Sequence, residues 1–170
     1  YVPFAQKKIF DGNSKFNTTV VPTGNWRGMV MRTDTAPFDN PKVRKAVRMA
    51  VDRQELVDLV MGGAATVSCD TPVAPSDQYR LDMDCSQDIN GAKKLLSEAG
   101  YPNGIEMTIH VSTKEPTWPT IAEVMQQQLA KAGIKADIQM TPSKSYWKET
   151  WMKKAVAMTR WNERPADSIL

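Results

Sequence analysis

The fold is decided by residues 105–140, which read IEMTIHVSTKEPTWPTIAEVMQQQLAKAGIKADIQM. Apolar and polar residues alternate over residues 105–111 and again over 134–140, and this period of two predicts two half-buried strands. Between them, Pro119 opens a stretch with apolar residues at helical spacing, and Gly133 ends it. A strand, a helix and a second strand joined by short loops form a right-handed crossover with two parallel strands. The sequence therefore predicts an α/β fold. The inward face of the helix is predicted to comprise Ile121, Val124, Met125 and Leu129.

Three helices upstream of this unit are predicted from their N-terminal caps. Asn40, Asp52 and Asp88 each precede a stretch with apolar residues at helical spacing, and short polar side chains accept hydrogen bonds from the free N–H groups of a first turn. Glu55, three residues after Asp52, completes a capping-box pattern. The second of these helices is predicted to bury Leu56, Val57, Val60 and Met61.

Shorter elements are predicted on both sides of these helices. Apolar and β-branched residues favour strands over residues 18–21, 28–32 and 155–159. Ser143 is predicted to cap a short helix that carries Tyr146, Trp147 and Trp151. No internal repeat, coiled-coil heptad or low-complexity tract occurs in the sequence.

Composition excludes several classes of function. Among the 170 residues, 22 Lys and Arg against 19 Asp and Glu leave a formal charge of +3, which is too small to indicate a nucleic-acid partner. One histidine and two cysteines exclude zinc sites that need several such ligands from this chain. The single histidine, His110, lies at a polar position of its strand and is predicted to be a surface residue rather than a general base. Phosphate-loop, dinucleotide-binding and serine-hydrolase motifs do not occur, and no apolar run approaches the roughly 20 residues that span a bilayer.

Cys69 and Cys85 lie sixteen residues apart and flank a stretch rich in Asp, Pro and Ser. In a reducing compartment they would be two separate thiols, whereas in an oxidising compartment such a pair suggests a disulfide, and the residues alone leave both possibilities open. The acidic residues between them are too widely spaced for a calcium loop, so this stretch is predicted to be a solvated surface loop.

Two of the five tryptophans are candidates for ligand binding. Trp26 and Trp161 each adjoin an arginine at a predicted strand boundary, and an aromatic face beside a guanidinium can hold a ligand by stacking and charge. Packing at the rim of the core is an equally good interpretation of both. Trp147 and Trp151, four residues apart on one short helix, are interpreted as packing residues.

Four blocks in order along the chain resemble the signature of bacterial family 5 extracellular solute-binding proteins. Residues 31–40 read MRTDTAPFDN, and VRKAV and AVDRQ follow within residues 43–54. Residues 92–101 read AKKLLSEAGY, and residues 126–134 read QQQLAKAGI. Each block alone is weak, but their combination over about residues 20–165 is specific.

The resemblance implies a periplasmic-binding-protein-like lobe with a mixed sheet, a βαβ crossover and flanking helices. Residues 1–170 would form one lobe, the second of a two-lobe receptor, with the first lobe absent from this chain. Such a receptor is a monomer that binds a peptide or other small polar solute and delivers it to the permease subunits of an ABC importer in the inner membrane. It is not an enzyme, needs no cofactor or metal, and is periplasmic or tethered to the cell surface. That oxidising location favours the Cys69–Cys85 disulfide.

The same resemblance indicates where the solute would bind. In peptide-binding relatives a Trp ends the strand before a cleft loop, and an Asp three residues later holds the peptide's free amine. Trp161 matches the Trp, but the acidic position is occupied by Arg164, and Glu163 comes one residue early. Arg164 would instead favour an anionic group such as a carboxylate. The predicted ligand-binding residues are therefore Trp161, Asn162 and Arg164, together with Trp26 and Arg32 from the neighbouring strand.

Two other classes of protein are compatible with the same residues. A lobe of a sensor or chemoreceptor would have the same fold but would signal rather than transport. A hydrolase domain with an inconspicuous carboxylate pair would leave no motif in the sequence.

Overall fold

A four-stranded sheet forms the centre of the molecule. The computed structural model describes residues 4–11, 13–21 and 23–168. The strand order is β1-β4-β2-β3. The strands are β1 (Trp26–Met31), β2 (Ile105–Ser112), β3 (Ile134–Thr141) and β4 (Val156–Trp161). Because β2 is parallel to both β3 and β4, whereas β1 is antiparallel to β4, the sheet is mixed. The α/β class and the parallel β2 and β3 strands are confirmed.

Three of the predicted helices form with their predicted caps. The side chains of Asn40, Asp52 and Asp88 each accept a hydrogen bond from a backbone N–H group in the first turn of the helix that follows. In the described chain the α-helices are α1 (Phe4–Asp11), α2 (Pro41–Met49), α3 (Arg53–Met61), α4 (Ile89–Glu98), α5 (Trp118–Lys131) and the single turn α6 (Ser143–Ser145). None of these helices is both long enough and apolar enough to cross a membrane.

The helices cover one face of the sheet. Along β2, the side chains of Ile105, Met107, Ile109 and Val111 are buried in a core that also contains apolar residues of α2, α4 and α5. The helix α5 buries a stripe that differs in part from the predicted one, because its first residue, Trp118, is itself fully buried against Tyr146. Met125 and Leu129 are buried as expected, but Ile121 and Val124 are only half-buried. Ala122 and Gln128 are buried instead.

The opposite face of β2 and β3 is not covered by helices of the described chain. Glu106 and Thr108 on β2, and Lys135 and Asp137 on β3, are exposed. His110 lies on this face as predicted, but it is half-buried, and burial lowers the pKa of its imidazole. His110 is therefore less exposed than the sequence predicted.

The helix α3 does not bury its apolar residues as predicted. None of its side chains is buried, and Leu59 is 63% exposed. The reason is that α3 packs mainly along one flank, against α5, where Leu56 contacts the core. The expected capping box is also modified: the Glu55 carboxylate accepts a hydrogen bond from Gln128 Nε2 at 2.6 Å, and Gln128 Oε1 accepts from the Asp52 N–H at 3.1 Å. Gln128 therefore replaces the glutamate as the partner of the cap residue.

Three shorter elements differ from the sequence prediction. Residues 18–21 are not a strand, because no strand of the described chain pairs with them. The strand β4 continues two residues beyond the predicted end, because pairing with β1 extends as far as Trp161. Ser143 does not cap its helix; α6 follows Pro142 and passes into a π-helical turn, Tyr146–Thr150. That turn is anchored by the buried Tyr146, whose hydroxyl donates to the carbonyl oxygen of Met158 at 2.6 Å.

The segment between α3 and α4 has no helix or strand and is held by a disulfide and two arginines. The sulfur atoms of Cys69 and Cys85 lie 1.99 Å apart, at bonding distance. Asp70 accepts hydrogen bonds from Arg48 Nε at 2.8 Å and from Arg53 Nη2 at 2.5 Å. Burial alone would raise the pKa of Asp70, but the hydrogen bonds from Arg53 and Arg48 outweigh burial and hold this pKa below its ordinary value. The predicted surface loop is therefore present, and Asp70 stays exposed, but the sequence did not predict its ion pairs with the two arginines.

Candidate functional site

The open face of β1 and β4 forms the floor of the candidate site. The two strands are antiparallel, and their register pairs Trp26 with Trp161, Gly28 with Thr159 and Val30 with Ala157. Since alternate residues of a strand point to the same face, the six residues share one face of the sheet. This is the face that the helices leave uncovered.

A cavity of about 680 Å³ lies against this floor. Its lining includes all five residues that the sequence predicted as ligand-binding. The structure therefore brings Trp26 and Arg32, from the β1 end, together with Trp161, Asn162 and Arg164, from the β4 end, although about 130 residues separate the two groups in the chain. They are joined by residues that the sequence did not assign to the site, among them Trp151, Lys154 and Pro72.

These three additional residues were missed for different reasons. Trp151 was interpreted as a packing residue from its spacing to Trp147, yet it faces the cavity and is only half-buried. Lys154 has no distinguishing motif. Pro72 arrives from the disulfide-closed segment, three residues after Cys69, and only the tertiary structure reveals this approach.

Tryptophan rings form a continuous row along the cavity. The ring centroids of Trp26 and Trp161 lie 6.4 Å apart with an interplanar angle of 23°, and those of Trp161 and Trp151 also lie 6.4 Å apart, edge to face. The Trp161 residue is 39% exposed. Covering an exposed indole removes a large apolar area from water, so this row provides a binding surface for an apolar or planar group.

The two cavity arginines differ in how they are engaged. Arg32 donates to both carboxylate oxygens of Asp34, at 2.9 and 2.6 Å, and to the carbonyl oxygen of Met152 at 2.8 Å. Hydrogen bonds from Arg32 lower the pKa of Asp34 to about 2. Arg164, in contrast, lies with its guanidinium carbon 5.3 Å from the centroid of the Trp161 ring and has no carboxylate partner among the residues that the structure describes. Arg164 is therefore the arginine with donors available for a ligand.

The nearby glutamate does not reach the cavity. Glu163 Oε2 accepts a hydrogen bond from the Gly24 N–H at 2.9 Å, and the Glu163 N–H donates to Asn25 Oδ1 at 2.8 Å. A Cβ at Gly24 would lie only 2.5 Å from the Glu163 side chain, so this contact requires glycine. The charged residues that line the cavity are thus Arg32, Lys154, Arg164 and Asp34, which leaves a formal charge of +2.

The described residues offer no metal site. Nowhere in the ranges 4–11, 13–21 and 23–168 do three His, Cys, Asp or Glu side chains come together to hold an ion. What the arrangement can do is stack a flat or apolar group on indole rings and neutralise an anionic group with Arg164 and Lys154.

Comparison with known proteins identifies the family. The model of "Bacterial extracellular solute-binding proteins, family 5 Middle" matches residues 1–169. The glutathione-binding protein GsiB of Escherichia coli (strain K12) is 36% identical over 138 residues, which are 81% of this chain and 27% of that protein. Two solved structures are similar over most of the chain. The periplasmic binding protein DppA of Helicobacter pylori, in complex with the peptide STSA, has a TM-score of 0.80, 26% identity and coverage of 97% of this chain and 32% of its own. The dipeptide-binding protein of Pseudoalteromonas sp. SM9913, in complex with Met-Leu, has a TM-score of 0.76, 25% identity and coverage of 93% and 32%.

The likeness covers only part of each curated relative. The chain spans about a quarter of the length of the curated relatives that it matches. Its fold is that of a lobe of a periplasmic binding protein. Members of this family bind solutes for transport and are not enzymes, which agrees with the lack of catalytic motifs in the sequence. The chain belongs to family 5 of the bacterial extracellular solute-binding proteins.

Proposed function

We propose that this chain is part of the second lobe of a two-lobe receptor of an ABC importer, which captures a peptide or other small polar solute and delivers it to a membrane permease. The observation that carries the proposal is the 680 Å³ cavity on the uncovered face of β1 and β4. Three indole rings line this cavity without being sealed into the core, which suits a surface that a ligand and a second lobe cover together. Family membership supports this assignment.

The charge of the cavity favours a solute with a carboxylate or another anionic group. Arg164 and Lys154 supply positive charge, whereas the one lining carboxylate, Asp34, is already paired with Arg32. Glu163, the acidic residue next to Arg164 in the sequence, is bonded to the Gly24 N–H and does not line the cavity. We therefore expect the anionic end of the solute, rather than an amine, to contact this lobe.

The cellular setting follows from the same proposal. Family 5 proteins are extracellular or periplasmic, and the Cys69–Cys85 disulfide fits an oxidising compartment. The receptor would be a monomer, periplasmic or tethered to the cell surface, with permease subunits of the inner membrane as its protein partners. The chain's formal charge of +3 gives no reason to expect nucleic acid as a partner.

Calorimetry on the intact receptor tests the proposal with three probes: reduced glutathione, Met-Leu and STSA. We expect at least one probe to bind, and Arg164→Ala to weaken that binding about tenfold, because a charge-assisted hydrogen bond is lost. The matched control is Arg160→Ala. Arg160 lies on β4, four residues before Arg164, but it pairs with Glu115 at 3.0 Å and does not line the cavity, so its removal should leave the affinity unchanged. Equal affinity in wild type and Arg164→Ala would contradict the site, and the absence of binding by all three probes would contradict the function.

A further inference from the structure

The floor of the cavity has a gap at one cross-strand pair. Of the three pairs on the open face, Trp26 with Trp161 and Val30 with Ala157 line the cavity, but the pair between them, Gly28 and Thr159, does not. Since all three pairs point the same way, something must cover the central one.

The indole of Trp26 is the cover on the Gly28 side. A Cβ at position 28 would lie 3.3 Å from Cζ3 and 3.6 Å from Cε3 of the Trp26 ring, so the six-membered ring rests directly against the glycine. Glycine within a strand often marks a point where another group approaches the backbone closely. Here the absence of a side chain makes room for the ring of Trp26, which also stacks on Trp161.

The residue opposite Gly28 carries a buried polar atom that makes no hydrogen bond. Thr159 is 1% exposed, and its Oγ1 has no partner among the residues that the structure describes. A buried hydroxyl without a partner is destabilising, and such groups are few in folded proteins, so each one calls for an explanation. Two other buried side-chain atoms of the described residues, His110 Nδ1 and Trp118 Nε1, also make no hydrogen bond, but Thr159 alone of the three belongs to β4 and lies between two cross-strand pairs that line the cavity.

We infer that the Thr159 hydroxyl is a hydrogen-bonding point for the solute, in a small polar subsite that the Trp26 ring covers when the receptor is empty. When the ring moves off Gly28, the hydroxyl donates to an acceptor oxygen of the solute, such as a carboxylate or carbonyl oxygen. The positive charge from Arg164 and Lys154 at the same cavity favours an acceptor of this kind. This inference rests on the proposed solute-binding function and adds a specificity-determining residue to it.

Three variants of the intact receptor test the inference, with reduced glutathione, Met-Leu and STSA as probes in calorimetry. Thr159→Val removes the hydroxyl and keeps the shape of the side chain, whereas Thr159→Ser keeps the hydroxyl. Thr108→Val is the matched control, because Thr108 lies on the same sheet face but is exposed and outside the cavity lining. For a probe that binds the wild type, we expect Thr159→Val to reduce the affinity about tenfold, Thr159→Ser to stay within about twofold, and Thr108→Val to have no effect.

The melting temperature of the empty receptor separates this role from a structural one. Thr159→Val removes a buried group without a partner, so the variant should melt at the wild-type temperature or above it while binding more weakly. Unchanged affinity in Thr159→Val would overturn the inference and leave the proposed function standing. A lower melting temperature of Thr159→Val would also overturn it, because the hydroxyl would then support the fold. A loss of affinity in Thr159→Ser equal to that in Thr159→Val would overturn it as well, because the hydroxyl would then not be what the solute contacts. If the wild type binds none of the probes, the proposed function fails and the inference fails with it.

Discussion

The two halves of the sheet differ in how completely their side chains are buried within the chain. In the β2–β3 half, one face is sealed by α5, and residues such as Ile109 and Leu129 are fully buried in a continuous apolar core. In the β1–β4 half, the open face carries Trp26 and Trp161 at the surface of a cavity, and the polar atom of Thr159 below them is left without a partner. The first half therefore stabilises the lobe, whereas the second half leaves aromatic and basic side chains facing a cavity.

This difference indicates how to separate residues that fold the lobe from residues that bind. A side chain whose apolar area and hydrogen bonds are satisfied within the chain should affect stability when it is changed. A side chain whose area or hydrogen bonds remain open should affect affinity. The largest effect is expected for a residue of the core.

Removing a core side chain should reduce stability without reducing affinity. Leu129 is completely buried, so Leu129→Ala should lower the free energy of unfolding by about 3 kcal/mol through lost burial and a residual cavity. Urea denaturation of the intact receptor measures this. The control is Leu59→Ala, at a residue that is 63% exposed, which should change the free energy by less than about 0.5 kcal/mol. A similar small effect at both positions would show that α5 does not seal the core.

Removing a tryptophan ring that lines the cavity should reduce affinity without reducing stability. Trp161→Ala should weaken solute binding by about 2 kcal/mol, roughly thirtyfold, because an exposed indole at the centre of a site is a typical energetic hot spot. The control is Trp147→Ala: Trp147 is 45% exposed and packs on Trp151 with centroids 5.8 Å apart, but it does not line the cavity. Calorimetry with the probe that binds the wild type compares the two variants. Equal losses of affinity in the two variants would show that the binding surface is not centred on Trp161.

The disulfide-closed segment should act mainly on stability. Asp70→Asn removes the charge that Arg48 and Arg53 hold, and should lower the free energy of unfolding by about 1.5 kcal/mol. Asp82→Asn, in the same segment but exposed, should have no measurable effect. Thermal and urea unfolding of the two variants provide the comparison, and equal stability of both would show that the two arginines do not organise this segment.

The contribution of Asp70 should disappear in acid. Its pKa in the folded state lies below the ordinary value, so the unfolded chain takes up this proton first as the pH falls. The stabilisation is therefore complete above the unfolded pKa of about 4 and is lost as the pH drops through the lower folded pKa. The difference in stability between wild type and Asp70→Asn should shrink over that range. A difference that stays constant down to about pH 2 would contradict the assignment.

The sequence predicted the β2–β3 half well because its signals are local. Alternation along β2, helical spacing in α5 and a turn at Gly133 are each visible within a few residues, and the structure confirms them. The caps Asn40 and Asp52 were predictable for the same reason.

The β1–β4 half was harder because its structure depends on distant contacts. Residues 18–21 have the composition of a strand, but composition cannot show that a pairing partner is missing. The end of β4 is set by pairing with β1, and the approach of Pro72 to the cavity depends on the segment closed by Cys69 and Cys85. Trp26 and Trp161 were candidates by residue type and Arg164 through the family resemblance, whereas the buried hydroxyl of Thr159 became visible only once its neighbours were known.

A crystal structure of the intact receptor with a bound probe, chosen from reduced glutathione, Met-Leu and STSA, would locate the binding surface. We expect the bound compound to lie on the open face of β1 and β4, in contact with the ring of Trp161 and the guanidinium of Arg164. A compound bound elsewhere, with the Trp161 ring and the Arg164 guanidinium facing only water, would contradict this expectation.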